Sequence, residues 1–246
     1  MSQRKFSRRK ILRATGGGLG AFALLGGAHT AMATEQVDYN QQTIVEGTDV
    51  DIRVAWKETY NGAVVERQDS PTDRPDSNPV VTQGNLMPGD SGRVAFGVVL
   101  NEGTSNVDSA EVELRIVPGP EGFTENGITE PERKAGDTTP LVGELQNAVD
   151  VTVWRDAGML ETLPYGACDG EESFGEGILA EGTLAEVTNP EGLGSWTVLT
   201  DDNGCLGPDE FLCVGLSWSV DSSVGNIIQG DGAQFDIEFG ANSCAQ

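Results

Sequence analysis

Four cysteines and a large excess of carboxylates are the residues of this 246-residue chain that could do chemistry. Cys168, Cys205, Cys213 and Cys244 all lie in its C-terminal part. Their even number points to two disulfides, with three pairings open. Zinc is the competing use of the same thiols. It is disfavoured because no C-x-x-C spacing occurs and the single histidine, His29, sits near the N-terminus. Without a later histidine the rest of the chain holds no Ser-His-Asp triad, no H-E-x-x-H zinc site and no imidazole base. G-x-S-x-G, Walker A and dinucleotide fingerprints are absent as well.

Residue type alone admits a paired-carboxylate glycosidase, but such sites come with aromatic-lined clefts. Trp56, Trp154 and Trp218 fall on or beside strand patterns, where core packing is their expected role. Trp196 is the exception, flanked by Gly192, Gly194 and Ser195. The expectation is therefore no enzyme. Calcium is the one cofactor these residue types admit: Asp201 and Asp202 with Asn203, or Asp69, Asp73 and Asp76, could offer hard oxygens. Neither stretch has EF-hand spacing, and in a chain this acidic such clusters are usually a solvated face.

The N-terminus reads as an address. Ser7-Arg8-Arg9-Lys10-Ile11-Leu12 sets a twin-arginine pair in a basic region, and an apolar run from Ala14 to Ala28 follows. Ala31-Met32-Ala33 then offers a small-x-small cleavage site. Residues 1–33 are thus expected to be a twin-arginine signal peptide that carries a folded protein out of the cytoplasm. The alternative, a retained anchor, conflicts with an apolar run shorter than the roughly 20 residues that span a bilayer. No membrane span is expected after cleavage.

Six of the 15 basic residues precede Ala33, which leaves nine against 39 acidic ones in the remainder. Only two of those nine are lysines, Lys57 and Lys134. Repulsion on this scale opposes folding in dilute buffer. At molar salt, where the Debye length is about 3 Å, it is screened. A surface adapted to high salt, as in a halophilic archaeon, is the expectation. Nucleic acid is excluded as a partner, since phosphate binding needs a basic stripe.

The elements that must position these groups alternate with period two. Val50, Ile52, Val54 and Trp56 share one face, and the hairpin pair Asn61-Gly62 follows. Residues 66–80 read as a loop, and Met87 to Gly92 as a turn. Val94 to Leu100 and Ala110 to Ile116 alternate in the next strands, with a second loop from Pro118 to Pro140. A short helix is expected over Leu141–Ala148, then a strand through Val149, Val151 and Val153. Cys168–Gly177 reads as a loop. Thr183-x-x-Glu186 has capping-box spacing. Val214 to Val220 and Phe235 to Phe239 give the last two strands. The sum is an all-β antiparallel sandwich, jelly-roll-like, with one or two short helices. It occupies 47–246, after an N-terminal arm at 34–46.

Four motifs occur in order. They are Gly47 to Trp56 leading to Tyr60-Asn61-Gly62, and Leu86 to Gly92 before a strand. Then come Gly143-Glu144-Leu145 running into Asp150 to Trp154, and Cys213 to Trp218 leading to Val224 to Gln229 and the Phe235 strand with Cys244. Together they resemble haloarchaeal secreted proteins of the TasA/camelysin type, with SipW-like signal peptides. The resemblance implies a jelly-roll sandwich acting as a subunit of a biofilm-matrix fibre or pilus, polymerised by donating an N-terminal strand to a neighbour. Some relatives carry a metallopeptidase label, which the absence of a late histidine argues against. The donor strand would hold Val37 and Tyr39, in a stretch more polar than the aromatic start usual in that family. The expected function is an exported, self-assembling structural protein. The alternative is a monomeric secreted module binding calcium or carbohydrate.

Overall fold

The computed structural model describes residues 5–14, 50–72, 82–100, 108–125, 127–157, 168–200, 204–208 and 210–244. In chain order the elements are β1 (Lys5–Ala14), β2 (Ile52–Tyr60), β3 (Ala63–Thr72), β4 (Thr82–Leu86), β5 (Ser91–Leu100) and β6 (Ala110–Thr124). Helices α1 (Glu130–Ala135) and α2 (Leu145–Ala148) lead to β7 (Val149–Arg155) and β8 (Ile178–Thr183). Helix α3 (Leu184–Val187), β9 (Thr197–Val198), β10 (Leu212–Val220), a 3-10 turn (Asn226–Ile228) and β11 (Gly232–Ser243) complete the fold.

Two sheets result, in the orders β4-β1-β11-β6-β9 and β3-β2-β5-β10-β7-β8. All neighbours are antiparallel except β1 beside β4. The predicted all-β antiparallel sandwich is observed. Its two inner faces meet at Phe96 of β5 and Phe239 of β11, whose rings contact edge-on at 5.4 Å between centroids. The period-two positions fill the core as the pattern requires: Val50, Ile52, Val54 and Trp56, then Val112, Leu114 and Ile116, then Phe235, Ile237 and Phe239 are buried.

The β2–β3 turn follows its residues. Asn61 and Gly62 both take positive φ, as a type I′ turn demands. Asp90 ties that turn to the next one: Tyr60 Oη–H and the Asn61 side-chain amide donate to its two oxygens. Burial, reinforced by the hydrogen bond to Asp90 and its charge, pushes the Tyr60 phenol up to about 12.

Several boundaries differ from expectation. Strand β3 continues to Thr72, into the 66–80 stretch read as a loop. It lies at a sheet edge, where proline and charge are tolerated, and register shifts let it stay paired with β2. The Pro118–Pro140 stretch is not all loop either. Strand β6 runs to Thr124, with Pro118 beside an irregularity in the β11 pairing, and α1 follows. The helix expected over Leu141–Ala148 is the single turn of α2. The described residues hold three short helices rather than one or two. Helix α3 begins at the Thr183–Glu186 capping box as read.

Candidate functional site

The four cysteines form two bonds, Cys168–Cys213 and Cys205–Cys244. The first pins the 168–177 loop over the outer face of the six-stranded sheet, because Cys213 opens β10. Under that loop Trp154 is 1 % exposed, lying across the bare backbone of Gly215, its register partner on β10. Beside it Asp156 is fully buried and accepts the Gly170 N–H at 2.8 Å.

Burial pushes the Asp156 carboxyl up to about 6, with Asp169 and Glu176 adding repulsion and the Gly170 and Cys168 N–H groups pulling the other way. The folded carboxyl thus keeps its proton to higher pH than the unfolded one, whose value is about 3.9. Its stabilisation is complete below the unfolded value and is lost as pH rises through about 6. We therefore expect thermal unfolding in molar salt to shift down between pH 5 and pH 7.5, and Asp156→Asn to make that shift smaller. An equal shift in both proteins would refute the assignment.

A concave face of about 720 Å³ adjoins this loop, lined among others by Lys57, Arg93, Trp154, Glu171 and Trp218. Its tryptophans are buried rather than presented. Trp196, the residue that stood apart in sequence, covers the Arg115 guanidinium at 4.6 Å, while Arg115 Nε pairs with Glu238.

A second feature lies at the sheet edge. Residues 5–14, read as the basic part of the signal with Arg8 and Arg9, form β1 between β11 and β4. Directly opposed residues of an antiparallel pair share a face. The register opposes Phe6, Arg8, Lys10 and Leu12 to Phe239, Ile237, Phe235 and Ala233, all four of which are buried. Strand β4 has no partner other than β1 among the described strands.

The third feature was not anticipated. Where β6 ends, the chain loops through α1 and α2 and brings Glu125, Glu132, Asp137 and Glu144 against Asp231, which stands just before β11. One oxygen each of Glu125, Asp137 and Glu144 lie within 4.8 Å of one another, as do oxygens of Glu125, Glu132 and Asp231. Four of the five carboxylates are held through one oxygen. Glu132 closes the Thr129-x-x-Glu132 capping box by accepting the Thr129 N–H. Asp137 Oδ1 accepts the Thr139 N–H at 2.7 Å, and the single proton of the Thr139 hydroxyl is shared between Asp137 Oδ1 at 2.9 Å and Glu144 Oε1 at 2.6 Å. Asp231 Oδ2 accepts the Glu144 and Leu145 N–H groups at 2.6 and 3.0 Å. Gly143 is required at the approach, since a Cβ there would stand 2.7 Å from the Thr124 carbonyl oxygen and 3.0 Å from Asp231 Cγ.

The remaining oxygens point inward. Both of Glu125, with Glu132 Oε1, Asp137 Oδ2, Glu144 Oε2 and Asp231 Oδ1, are buried without a hydrogen-bond donor. No lysine or arginine among the described residues pairs with any of the five; the nearby Lys134 pairs with Glu130 and Arg133 donates to the Ile128 carbonyl. Burial, with Glu125 alongside, pushes the Asp231 carboxyl up to about 7. One signal stood in the sequence, the Thr129-x-x-Glu132 box, inside the 118–140 stretch read as a loop. The pairing with Asp231 spans 87 residues and is made only by the fold.

Of the site residues read from sequence, the cysteines are brought together in pairs. Arg8 and Arg9 lie in β1. Ala31, Ala33, Val37, Tyr39 and the Asp201-Asp202-Asn203 set lie outside the described residues, as do Asp73 and Asp76. Among the described residues no helix is long and apolar enough to cross a membrane. Compared with protein-family models, curated proteins and solved structures, the chain matches none.

Proposed function

We propose that this is an exported, non-catalytic structural protein of high-salt surroundings, whose copies assemble into a filament or surface matrix by strand addition. The segment 34–46 of one copy takes the place beside β11 of the next. The observation that carries the reading is the place of β1, since residues read as part of a signal fill the strand position between β11 and β4. Removal of residues 1–33 as a signal vacates the strand between β11 and β4. That leaves a row of main-chain donors and acceptors above buried Phe235, Ile237 and Phe239. Residues 37–45 suit the vacancy by their pattern, since Val37, Tyr39, Gln41, Thr43 and Val45 give one face without charge. Main-chain bonds would supply adhesion, and the alternate side chains the fit. The sugar-binding alternative gains less support, because the aromatics of the concave face are buried.

The test compares chain 34–246 with chain 47–246 in molar salt by light scattering and negative-stain microscopy. We expect the longer chain to form elongated assemblies and the shorter to stay folded and monomeric. Monomeric 34–246, with the amides of residues 37–45 protected by its own sheet, would overturn the proposal.

A further inference from the structure

We propose that Glu125, Glu132, Asp137, Glu144 and Asp231 form a calcium site, distinct from any metal set visible in the sequence. Two trios of carboxylates meet at Glu125 with no lysine or arginine paired to them among the described residues, and Glu132 and Asp231 are fully buried while Asp137 is 3 % exposed. Buried charge of one sign needs a counter-charge, since desolvating even one unpaired carboxylate is costly. The unpartnered oxygens supply what calcium takes, about six to eight hard oxygen ligands from carboxylates and carbonyls. Soft or imidazole-seeking metals lack their ligands here, for no cysteine or histidine belongs to the set. Magnesium keeps several waters and is usually bound through only one or two carboxylates, so an all-carboxylate cage suits it less.

The ligands are pre-positioned by bonds that use their other oxygens: Thr129 N–H on Glu132, Thr139 on Asp137 and Glu144, Glu144 and Leu145 N–H on Asp231. An ion held here joins the end of β6, the loop through α1 and α2, and the root of β11. It closes one end of the strand that borders β1 without touching the edge itself, so the site stands or falls separately from strand addition.

The experiment uses chain 34–246, stripped with chelator and kept in molar KCl so that monovalent ions compete throughout. Calcium chloride and magnesium chloride are each titrated by calorimetry, and thermal unfolding is followed with and without each ion. We expect saturable calcium binding, weaker binding of magnesium by about tenfold or more, and a calcium-dependent rise in Tm. Glu125→Gln removes the charge of the carboxylate common to both trios, which no N–H group holds and whose side-chain neighbour is Asp231. It should raise the Tm of the calcium-free protein and abolish the calcium-dependent rise. A merely structural glutamate would not give these opposite effects. Asp231→Asn, which keeps an oxygen for the Glu144 and Leu145 N–H groups, should likewise weaken calcium by at least about tenfold. Absence of saturable calcium heat in the folded wild type would overturn the proposal. So would calcium binding that survives unchanged in both variants, which would place the ion elsewhere.

Discussion

Gly215→Val is expected to cost about 3–5 kcal/mol, among the largest effects of any single substitution in the chain. A Cβ at Gly215 would stand 2.1 Å from Trp154 Cε2, 2.2 Å from Cζ2 and 2.7 Å from Nε1. The indole cannot slide aside, because the 168–177 loop lies over it and Cys168–Cys213 fastens that loop. Valine therefore expels the ring, and the sheet loses the burial of its largest side chain. Denaturant unfolding in molar salt measures the loss, and a double-mutant cycle with Trp154→Ala identifies its cause. The two changes should be strongly non-additive, since once the ring is gone valine has room. Additive costs would show that position 215 acts through backbone strain instead. Gly92 and Trp218 repeat the device on the inner face, with a Cβ at position 92 only 2.4 Å from the indole nitrogen.

The second large effect belongs to the disulfides. Cys168→Ser with Cys213→Ser should destabilise by about 4 kcal/mol, the chain entropy released when a loop of this length is no longer closed in the unfolded state. The two residues are separated by 45 positions. The Cys205–Cys244 bond encloses a similar length, 39 positions, so its removal should cost about as much by the same entropic argument. The two losses should differ in what they expose. Only opening Cys168–Cys213 frees the loop above Trp154, so only that variant should shift tryptophan emission to longer wavelength before global unfolding. A double variant within about 1 kcal/mol of wild type and with unchanged emission would contradict the account.

How much of this was legible follows from the range of each interaction. Alternation placed β2, β5, β6, β7, β10 and β11 because a buried face repeats every second residue, whatever the partner strand. Asn61-Gly62 and Thr183-x-x-Glu186 were legible because a turn and a cap are written within four residues. The return into β3 at Ala63-Val64-Val65 was legible from the hairpin, but its continuation to Thr72 was not, nor were β4 and β8, since edge strands carry proline, glycine and charge and owe their form to main-chain pairing. The Thr129-x-x-Glu132 cap carried the same signal as the later one but was hidden in a stretch dense in proline and glycine. The cysteine pairing and the five-carboxylate cluster depend on which distant segments the fold brings together. Acidic residues abound in this chain, so counting them pointed to Asp201, Asp202 and Asn203 as readily as to Glu125 and Asp231. Burial and unmet hydrogen-bonding capacity separate the two groups Glu125, Asp137, Glu144 and Glu125, Glu132, Asp231 from the solvated acids.

The central claim, that copies join through residues 34–46 at the β11 edge, is tested most directly by isotope-mixed cross-linking of assembled chain 34–246. Equal amounts of unlabelled and nitrogen-15-labelled protein are unfolded together, refolded in molar salt and treated with a dihydrazide together with a carboxyl-activating carbodiimide. Glu35, Asp38 and Glu46 would then be joined to Asp236 or Glu238 of β11. The account predicts cross-linked peptides in which labelled and unlabelled halves mix. Cross-links between the same residues that carry only one label would show each arm folded back on its own sheet, and would contradict it.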